Sequence, residues 1–374
     1  VIITIIAFIV IFGLLVFVHE LGHFLAAKAI GVEVKTFAFG FPPRIWSKNY
    51  KGTEYAINLI PLGGYVSLRG EEEADLSPTD LEKEAKNPSS LISKKPHQLL
   101  FVFVSGVLMN ILLAITLLYI CYLVGFQAIY PEMWGHNGIN NDLKVKITSI
   151  EKDTPAEKED LKAGDIIKQI NGKDVYLSDQ VLSEIRLGDT SQTVDVKIDR
   201  NGEILNKKLS TYKSTMNVGG EDKEVIRIGV SLETTGKISG NIWSSLVAAV
   251  KETGRIAWLT VVGVVDLFSK IITKFNISDN ISGPVGIVLA TNYFAHLGLT
   301  YLIQFAAILS ISLAVFNILP IPALDGGHIT FTLLETIFNR KFNSKAKNLI
   351  QFIGFGALIL LMIAVTIKDV IRLF

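Results

Sequence analysis

His19 and His23 stand four residues apart in the run His19-Glu20-Leu21-Gly22-His23. On a helix, positions i and i+4 share one face, so two imidazoles at this spacing can grip one zinc ion together. Glu20, next to the first histidine, is placed to take a proton from a water that the metal activates and to pass it to a leaving amine. These residue types support metal-assisted hydrolysis. A catalytic zinc commonly takes three protein ligands and keeps one position for water, so a further donor is required. Asp325 is the candidate, in Asn317-Ile318-Leu319-Pro320-Ile321-Pro322-Ala323-Leu324-Asp325-Gly326-Gly327-His328. His328 is a weaker ligand candidate and reads as supporting or interfacial.

Both groups sit at the ends of long apolar runs. Val1 to Val18 carries no charge and apolar character resumes from Phe24, enough to cross roughly 30 Å of hydrocarbon as a helix. It lacks a basic leading region and a small-residue cleavage site and reads as a span, not a signal peptide. Leu99 to Phe126, Tyr301 to Leu324 and Leu349 to Ile367 are the second, third and fourth spans. The chain of 374 residues is 49% hydrophobic, with a mean hydropathy of +0.42, as expected of a membrane protein. A net charge of +1 leaves no basic surplus for nucleic acid. Cys121, the single cysteine, lies in an apolar run, which excludes an intrachain disulfide or a cysteine zinc site.

Ionisable groups in such places are costly unless something compensates them, which applies to the histidine and glutamate cluster and to Asp325 alike. Pro320 and Pro322 break the third helix, and Gly326-Gly327 permits a tight turn. Asn241 to Phe268 is apolar but interrupted by Lys251, Glu252 and Arg255, which suits an amphipathic helix on the membrane surface. Arg340, Lys341, Lys345 and Lys347 mark the connection after the third span as cytoplasmic. The first and third spans then both run from outside to inside and bring their polar ends to one depth. The long segment between spans two and three is exported. From about Asp142 to Lys213 it carries β-rich runs, Val145 to Ile150 and Thr193 to Ile198, with turns at Asn171-Gly172 and Asn201-Gly202. The charge-dense stretch Glu71 to Lys86 reads as a solvated linker or short surface helix.

Taken together, the His-Glu-x-x-His run, the Asn-Ile-Leu-Pro-Ile-Pro-Ala-Leu-Asp-Gly-Gly run and one exported domain resemble the site-2 protease family of intramembrane zinc metalloproteases, most like the bacterial regulator-of-sigma-E protease type. The resemblance covers nearly the whole chain. It implies one catalytic zinc on His19, His23 and Asp325, Glu20 as general base, and Asn317 hydrogen-bonding the substrate backbone. Gly40 to Gly70 resembles the family's membrane-reentrant β-hairpin region, with Gly40, Gly63, Gly64 and Tyr65 as substrate-contacting positions through strand pairing. Gly283-Pro284-Val285-Gly286-Ile287 also resembles a family motif, and a simple turn explains it equally well. Thr154-Pro155-Ala156, Leu161 to Ile167 and Ile170-Asn171-Gly172 resemble a PDZ module, which in this family implies a filter for pre-trimmed substrates.

The chain departs from the family by having one PDZ-like module where two in tandem are frequent. It also has Pro42 where a glycine is common and Val107 where a proline is common; Asn110 nearby is expected to face the bundle interior. The implied function is hydrolysis within or near transmembrane segments of single-span membrane proteins, such as an anti-sigma factor or remnant signal peptides. The implied place is the bacterial cytoplasmic (inner) membrane, multi-pass, with the PDZ-like domain outside the cytoplasm. A non-enzymatic PDZ-bearing membrane adaptor is the competing class, and it predicts no bound metal.

The expected fold is a four-helix membrane protein with a membrane-associated β-hairpin region and an inserted extracytoplasmic α+β PDZ-like domain. In residues, this gives span one at 1–30, the β region and linker at 31–97, and span two at 98–126. The exported segment is 127–240 with its module at about 142–213, and the surface helices are 241–300. Span three is 301–325, a cytoplasmic loop 326–348 and span four 349–370.

Overall fold

The computed structural model describes residues 2–71, 77–129, 140–186, 193–218, 221–274 and 283–372. Residues 72–76 of the charge-dense stretch, 130–139, 187–192 and 219–220 of the exported segment, and 275–282 of the surface-helix region lie outside the described residues. The chain begins with α1 (Ile2–Ala29), β1 (Val34–Tyr50), β2 (Thr53–Leu68), α2 (Pro78–Lys86) and α3 (Pro96–Val124). There follow β3 (Asn140–Asn141), β4 (Lys144–Ile150), α4 (Pro155–Lys158), β5 (Ile166–Ile170), β6 (Lys173–Asp174), α5 (Ser178–Arg186), β7 (Thr193–Arg200), β8 (Glu203–Ser210), β9 (Tyr212–Val218), β10 (Glu221–Arg227), β11 (Val230–Thr235) and β12 (Ile238–Ser239). Five helices close the chain: α6 (Ile242–Lys274), α7 (Pro284–Leu297), α8 (Leu299–Ile318), α9 (Asp325–Ile337) and α10 (Ser344–Ile371). The chain divides into two compact units, one of residues 1–118 with 249–374, the other of residues 119–248.

Among the described residues, four helices are long and apolar enough to cross a membrane: α1, α3, α8 and α10. Each holds an apolar stretch of the length that a helix needs to cross hydrocarbon. Helix α8 is the most enclosed, burying Gln304 to Ala307, Ser310, Ile311, Ala314, Val315 and Asn317, whereas α10 buries only Val365 and Asp369. Ile11 and Leu15 of α1 pack on Ala306 of α8, with Leu113 and Leu117 of α3 against them. A second cluster joins Ala26 and Ala27 of α1 to Val34, Leu68 and Val102. His19 and His23 lie between these two clusters along α1.

The β region is more folded than a plain hairpin. Phe37 to Phe39 stand opposite Val66 to Gly64 on one side and Tyr55 to Ile57 on the other, while Trp46 to Tyr50 pair back on Ile57 to Thr53. The inner segment therefore has partners on both sides, and among the described residues Gly64 to Ser67 has a strand partner on one side only. Gly40 forms the corner, with φ +83° and its Cβ position 2.7 Å from the Ile60 carbonyl oxygen.

Helix α8 stops at Ile318, so the third span is shorter than the Tyr301 to Leu324 run suggested. Pro320 and Pro322 have no N–H to donate, Ala323 takes φ +75°, and α9 starts at Asp325 in what was expected to be a loop. Gly326 and Gly327 let α9 begin hard against this turn: a Cβ on either would meet the carbonyl oxygens of Leu319 or Ile321 at 1.8 and 2.8 Å. From α10, Gln351 Oε1 accepts the Ala323 N–H, and Gly354 lies under Pro322. Asp369 of α10 accepts the N–H groups of Gly283 and Gly286, both at 2.8 Å, which makes the Gly283 to Ile287 motif the capped start of α7. Helix α6 runs through Lys251 and Arg255 and buries Ala249, Glu252, Thr253 and Ile256 at helical spacing; Glu252 and Arg255 form an ion pair.

The second unit is a sheet of order β11-β4-β5-β7-β8 around a core of Val145, Ile147, Ile167, Ile170, Val194, Val196 and Ile198. Along β7 the buried Val194, Val196 and Ile198 alternate with outward residues, as period two demands. Asn171-Gly172 and Asn201-Gly202 have positive φ throughout and close the β5-β6 and β7-β8 hairpins. The sheet extends beyond Lys213, because β11 returns to pair with β4, Thr234 opposite Val145. No local pattern announces that long-range pairing.

Candidate active site

Helix α1 carries His19, Glu20 and His23 on successive and i+4 positions, and the start of α9 supplies Asp325. Asp325 Oδ2 lies 3.1 Å from His19 Nε2 and 3.3 Å from His23 Nε2, and the two Nε2 atoms are 3.2 Å apart. Metal–ligand bonds of about 2.05 Å in a tetrahedron give ligand–ligand edges of about 3.3 Å. The three atoms thus have the mutual spacing of three corners of a zinc coordination shell. Asp325 Oδ2 is buried and has no hydrogen-bond donor, so a cation suits the place it faces. Two nitrogens and one carboxylate oxygen form the donor set of an open catalytic zinc site.

The backbone nearby is shaped to admit these side chains. A Cβ on Gly106 of α3 would stand 2.4 Å from His23 Nε2 and 2.7 Å from His19 Cε1, so both rings lean on a bare glycine. One on Gly22 would meet the Ser105 carbonyl oxygen at 2.5 Å, so α1 and α3 touch backbone to backbone at this level. His23 Nδ1 lies 2.9 Å from the Val102 carbonyl oxygen. His19 Nδ1 lies 3.3 Å from Asn110 Nδ2.

A cavity of about 310 Å³ opens onto the cluster, lined by His19, Glu20, His23, Tyr65, Val66, Leu68, Glu71, Val102, Phe103, Asn317, Ala323, Leu324, Asp325 and His328. It therefore gathers the candidate ligands, the candidate base, Asn317 and Tyr65 in one place. Gly64 sits behind it, its Cβ position 3.5 Å from Glu20 Cγ, and Gly63 is buried at the start of the same strand segment, with φ +142°. Gly40 is not among the lining residues; its carbonyl oxygen accepts from Asn58 Nδ2 at 2.9 Å, which gives it a part in folding the sheet.

Glu71 and Gly106 escaped the sequence reading, and His328 and Asn110 were given only general places by it. Glu71, expected in a solvated linker, lines the cavity, and its carboxylate accepts the Leu68 N–H at 2.9 Å. His328 stacks on Phe103, ring centres 5.0 Å apart. Gly106 and Asn110, four residues apart on α3, approach the two histidines; an i, i+4 small and polar pair within an uncharged span is the one signal that points to them.

Residues 7–361 match the family model described as Peptidase family M50. The zinc metalloprotease RasP of Geobacillus kaustophilus is 29% identical, over 99% of this chain and 98% of its own length. The regulator of sigma-W protease RasP of Bacillus subtilis is also 29% identical, over 99% of each chain. Among solved structures, the PDZ domain of the SdrC-like protein of Listeria monocytogenes matches 26% of this chain and 90% of that one, at 20% identity and a TM-score of 0.20.

Proposed function

The chain belongs to peptidase family M50 and is a zinc metalloprotease, and from that premise we propose that His19, His23 and Asp325 hold its metal and that Glu20 is the general base. The observation that carries this reading is the convergence of His19 Nε2, His23 Nε2 and Asp325 Oδ2 within 3.3 Å of one another, beside Glu20 in one cavity. Zinc, when bound, supplies a Lewis acid that brings the pKa of a water to about 7 and polarises a peptide carbonyl.

The chain's own groups do the rest. Glu20 takes the proton of the attacking water and returns it to the departing amine. Asn317 offers its amide to the substrate backbone beside the scissile bond. The strand segment Gly64 to Ser67, with a strand partner on one side only among the described residues and bearing the cavity residues Tyr65 and Val66, adds an extended substrate segment by edge pairing. Extended backbone is what proteolysis needs, since a helix keeps its carbonyls engaged in its own hydrogen bonds. Tyr65 and Val66 line the same cavity as His19, Glu20, His23 and Asp325, which puts that segment beside the cluster.

The substrate class is the transmembrane segment of a single-span protein. The Bacillus subtilis relative is named a regulator of sigma-W, and an anti-sigma factor or a remnant signal peptide fits a cavity bounded by apolar helices. The lysines and arginine of residues 340–347 support a cytoplasmic position for the connection between α8 and α10, and so an exported β-rich unit in a bacterial inner membrane. The PDZ-like module then acts as the filter for trimmed substrates that the family resemblance implies.

The test uses the purified full chain in detergent and a fluorescent single-span peptide. Glu20→Gln is expected to keep zinc and helical content while cleavage falls by at least about 10²-fold, the scale of a lost general base. Cleavage at the parental rate by this variant overturns the assignment of Glu20.

A further inference from the structure

The two histidines are held from behind in different ways. His23 Nδ1 lies 2.9 Å from the Val102 carbonyl oxygen, an acceptor that cannot turn, so this ring carries its proton on Nδ1 and presents a bare Nε2. His19 Nδ1 instead faces a carboxamide, Asn110 Nδ2 at 3.3 Å, from a side chain with no solvent exposure. Asn110 Oδ1 is buried without a hydrogen-bond partner. With Nδ2 against Nδ1 the amide can only donate to a bare Nδ1, which would leave the ring proton on Nε2. A ring in that state has no lone pair on Nε2 with which to bind a metal.

A half-turn of the carboxamide exchanges its two ends within the same volume. Oδ1 then stands against Nδ1 and accepts an Nδ1–H, and Nε2 is bare. We propose that Asn110 is the positioning residue for His19: its carboxamide oxygen accepts the Nδ1–H of the ring and holds the tautomer whose Nε2 binds the metal. Its place on α3 is itself secured, because Ser310 Oγ of α8 donates to the Asn110 carbonyl oxygen at 2.8 Å. Gly106, one turn earlier, lets α3 come close enough for the amide to reach the ring.

This inference rests on the metal site proposed above, and the experiment separates the two. Zinc affinity is measured by chelator competition on the purified full chain, with parent, His19→Ala, Asn110→Leu and Asn110→Asp compared, and folding followed by helical circular dichroism and gel filtration. Loss of an outer partner of a ligating histidine costs about 10- to 100-fold in metal affinity. Asn110→Leu is expected to weaken zinc by that factor while remaining folded, since leucine fills the space with no polar group to bury. Asn110→Asp supplies an acceptor that cannot donate, and it is expected to restore parental affinity. A role in packing alone predicts the reverse order, with leucine tolerated and a buried aspartate harmful. Parental affinity in Asn110→Leu overturns the proposal, as does an Asn110→Asp chain that is folded yet binds as weakly as Asn110→Leu. If Asn110→Asp does not fold, Asn110→Leu measured against parent and His19→Ala decides alone. A parent that binds no zinc, or binds it as well without His19, removes the metal site itself and this inference with it.

Discussion

One added methyl group at Gly106 tests the whole arrangement of the centre. A Cβ there would stand 2.4 Å from His23 Nε2, 2.7 Å from His19 Cε1 and 2.8 Å from His23 Cε1. Ordinary contact between such atoms is about 3.5 Å, so the rings must withdraw by roughly 1 Å. Metal–ligand distances tolerate only about 0.2 Å. The rings have nowhere to go: His23 is tied to the Val102 carbonyl at 2.9 Å, and α1 meets α3 at Gly22, whose Cβ position is 2.5 Å from the Ser105 carbonyl oxygen. Overpacking of this kind costs about 1–3 kcal/mol in fold stability, which leaves a folded chain, whereas a 1 Å misplacement at a reacting centre costs about 10²-fold in rate. Gly106→Ala is therefore expected to purify folded, with less than one zinc per chain by metal analysis and with cleavage reduced by roughly that factor. Gly356→Ala in α10, where nothing lies within 4 Å of the Cβ position, is the matched control and should behave as the parent or gain about 0.5–1 kcal/mol of helix stability. Full zinc content and parental cleavage in Gly106→Ala would refute the packing of the histidines on α3.

Asp325→Ala removes one of three donors and is expected to lower bound zinc with α9 still formed; undiminished metal content would take Asp325 out of the site. In the β-rich unit, burial alone would raise the carboxyl pKa of Asp165, but Arg200 Nε and Nη2 each donate to it at 2.7 Å and hold it below the usual range. A depressed folded pKa contributes stability that is present above the unfolded value, near 3.9, and is lost as pH falls through the folded one. Amide exchange of β5 and β7 in the intact chain should therefore accelerate below about pH 4, and Arg200→Leu should accelerate it already at neutral pH, by about 3 kcal/mol of lost protection for a buried charge without its partner. Unchanged exchange in Arg200→Leu would show that the pair adds nothing.

Much of the protein is legible in its local chemistry. The four uncharged runs read as spans because hydrocarbon admits only helices that satisfy their own backbone, and α1, α3, α8 and α10 stand where those runs lie. Asn171-Gly172 and Asn201-Gly202 read as turns because they are suited to positive φ, and both adopt it. The boundaries were less accessible. The third apolar run continues to Leu324, and the helix ends at Ile318 ahead of the two prolines; that α10 receives the turn through Gln351 and Gly354 has no local sign. Nor could the doubled pairing of Phe37 to Phe39, which sets Gly40 at a sheet corner, be read from residues that alternate like any strand.

By itself, the order of residues determined which chemistry is on offer: two imidazoles at i, i+4 with a carboxylate between them, and a costly aspartate at the end of another apolar run. Those are consequences of helical period and of the low polarity of lipid, both of which act within a few residues. Only the tertiary structure decided that Asp325 comes to 3.1 and 3.3 Å from the two histidines, that Gly106 gives their rings room and that Asn110 stands behind His19. Such meetings depend on how closely one backbone can approach another, which is a property of the packed elements together and of no single stretch of chain.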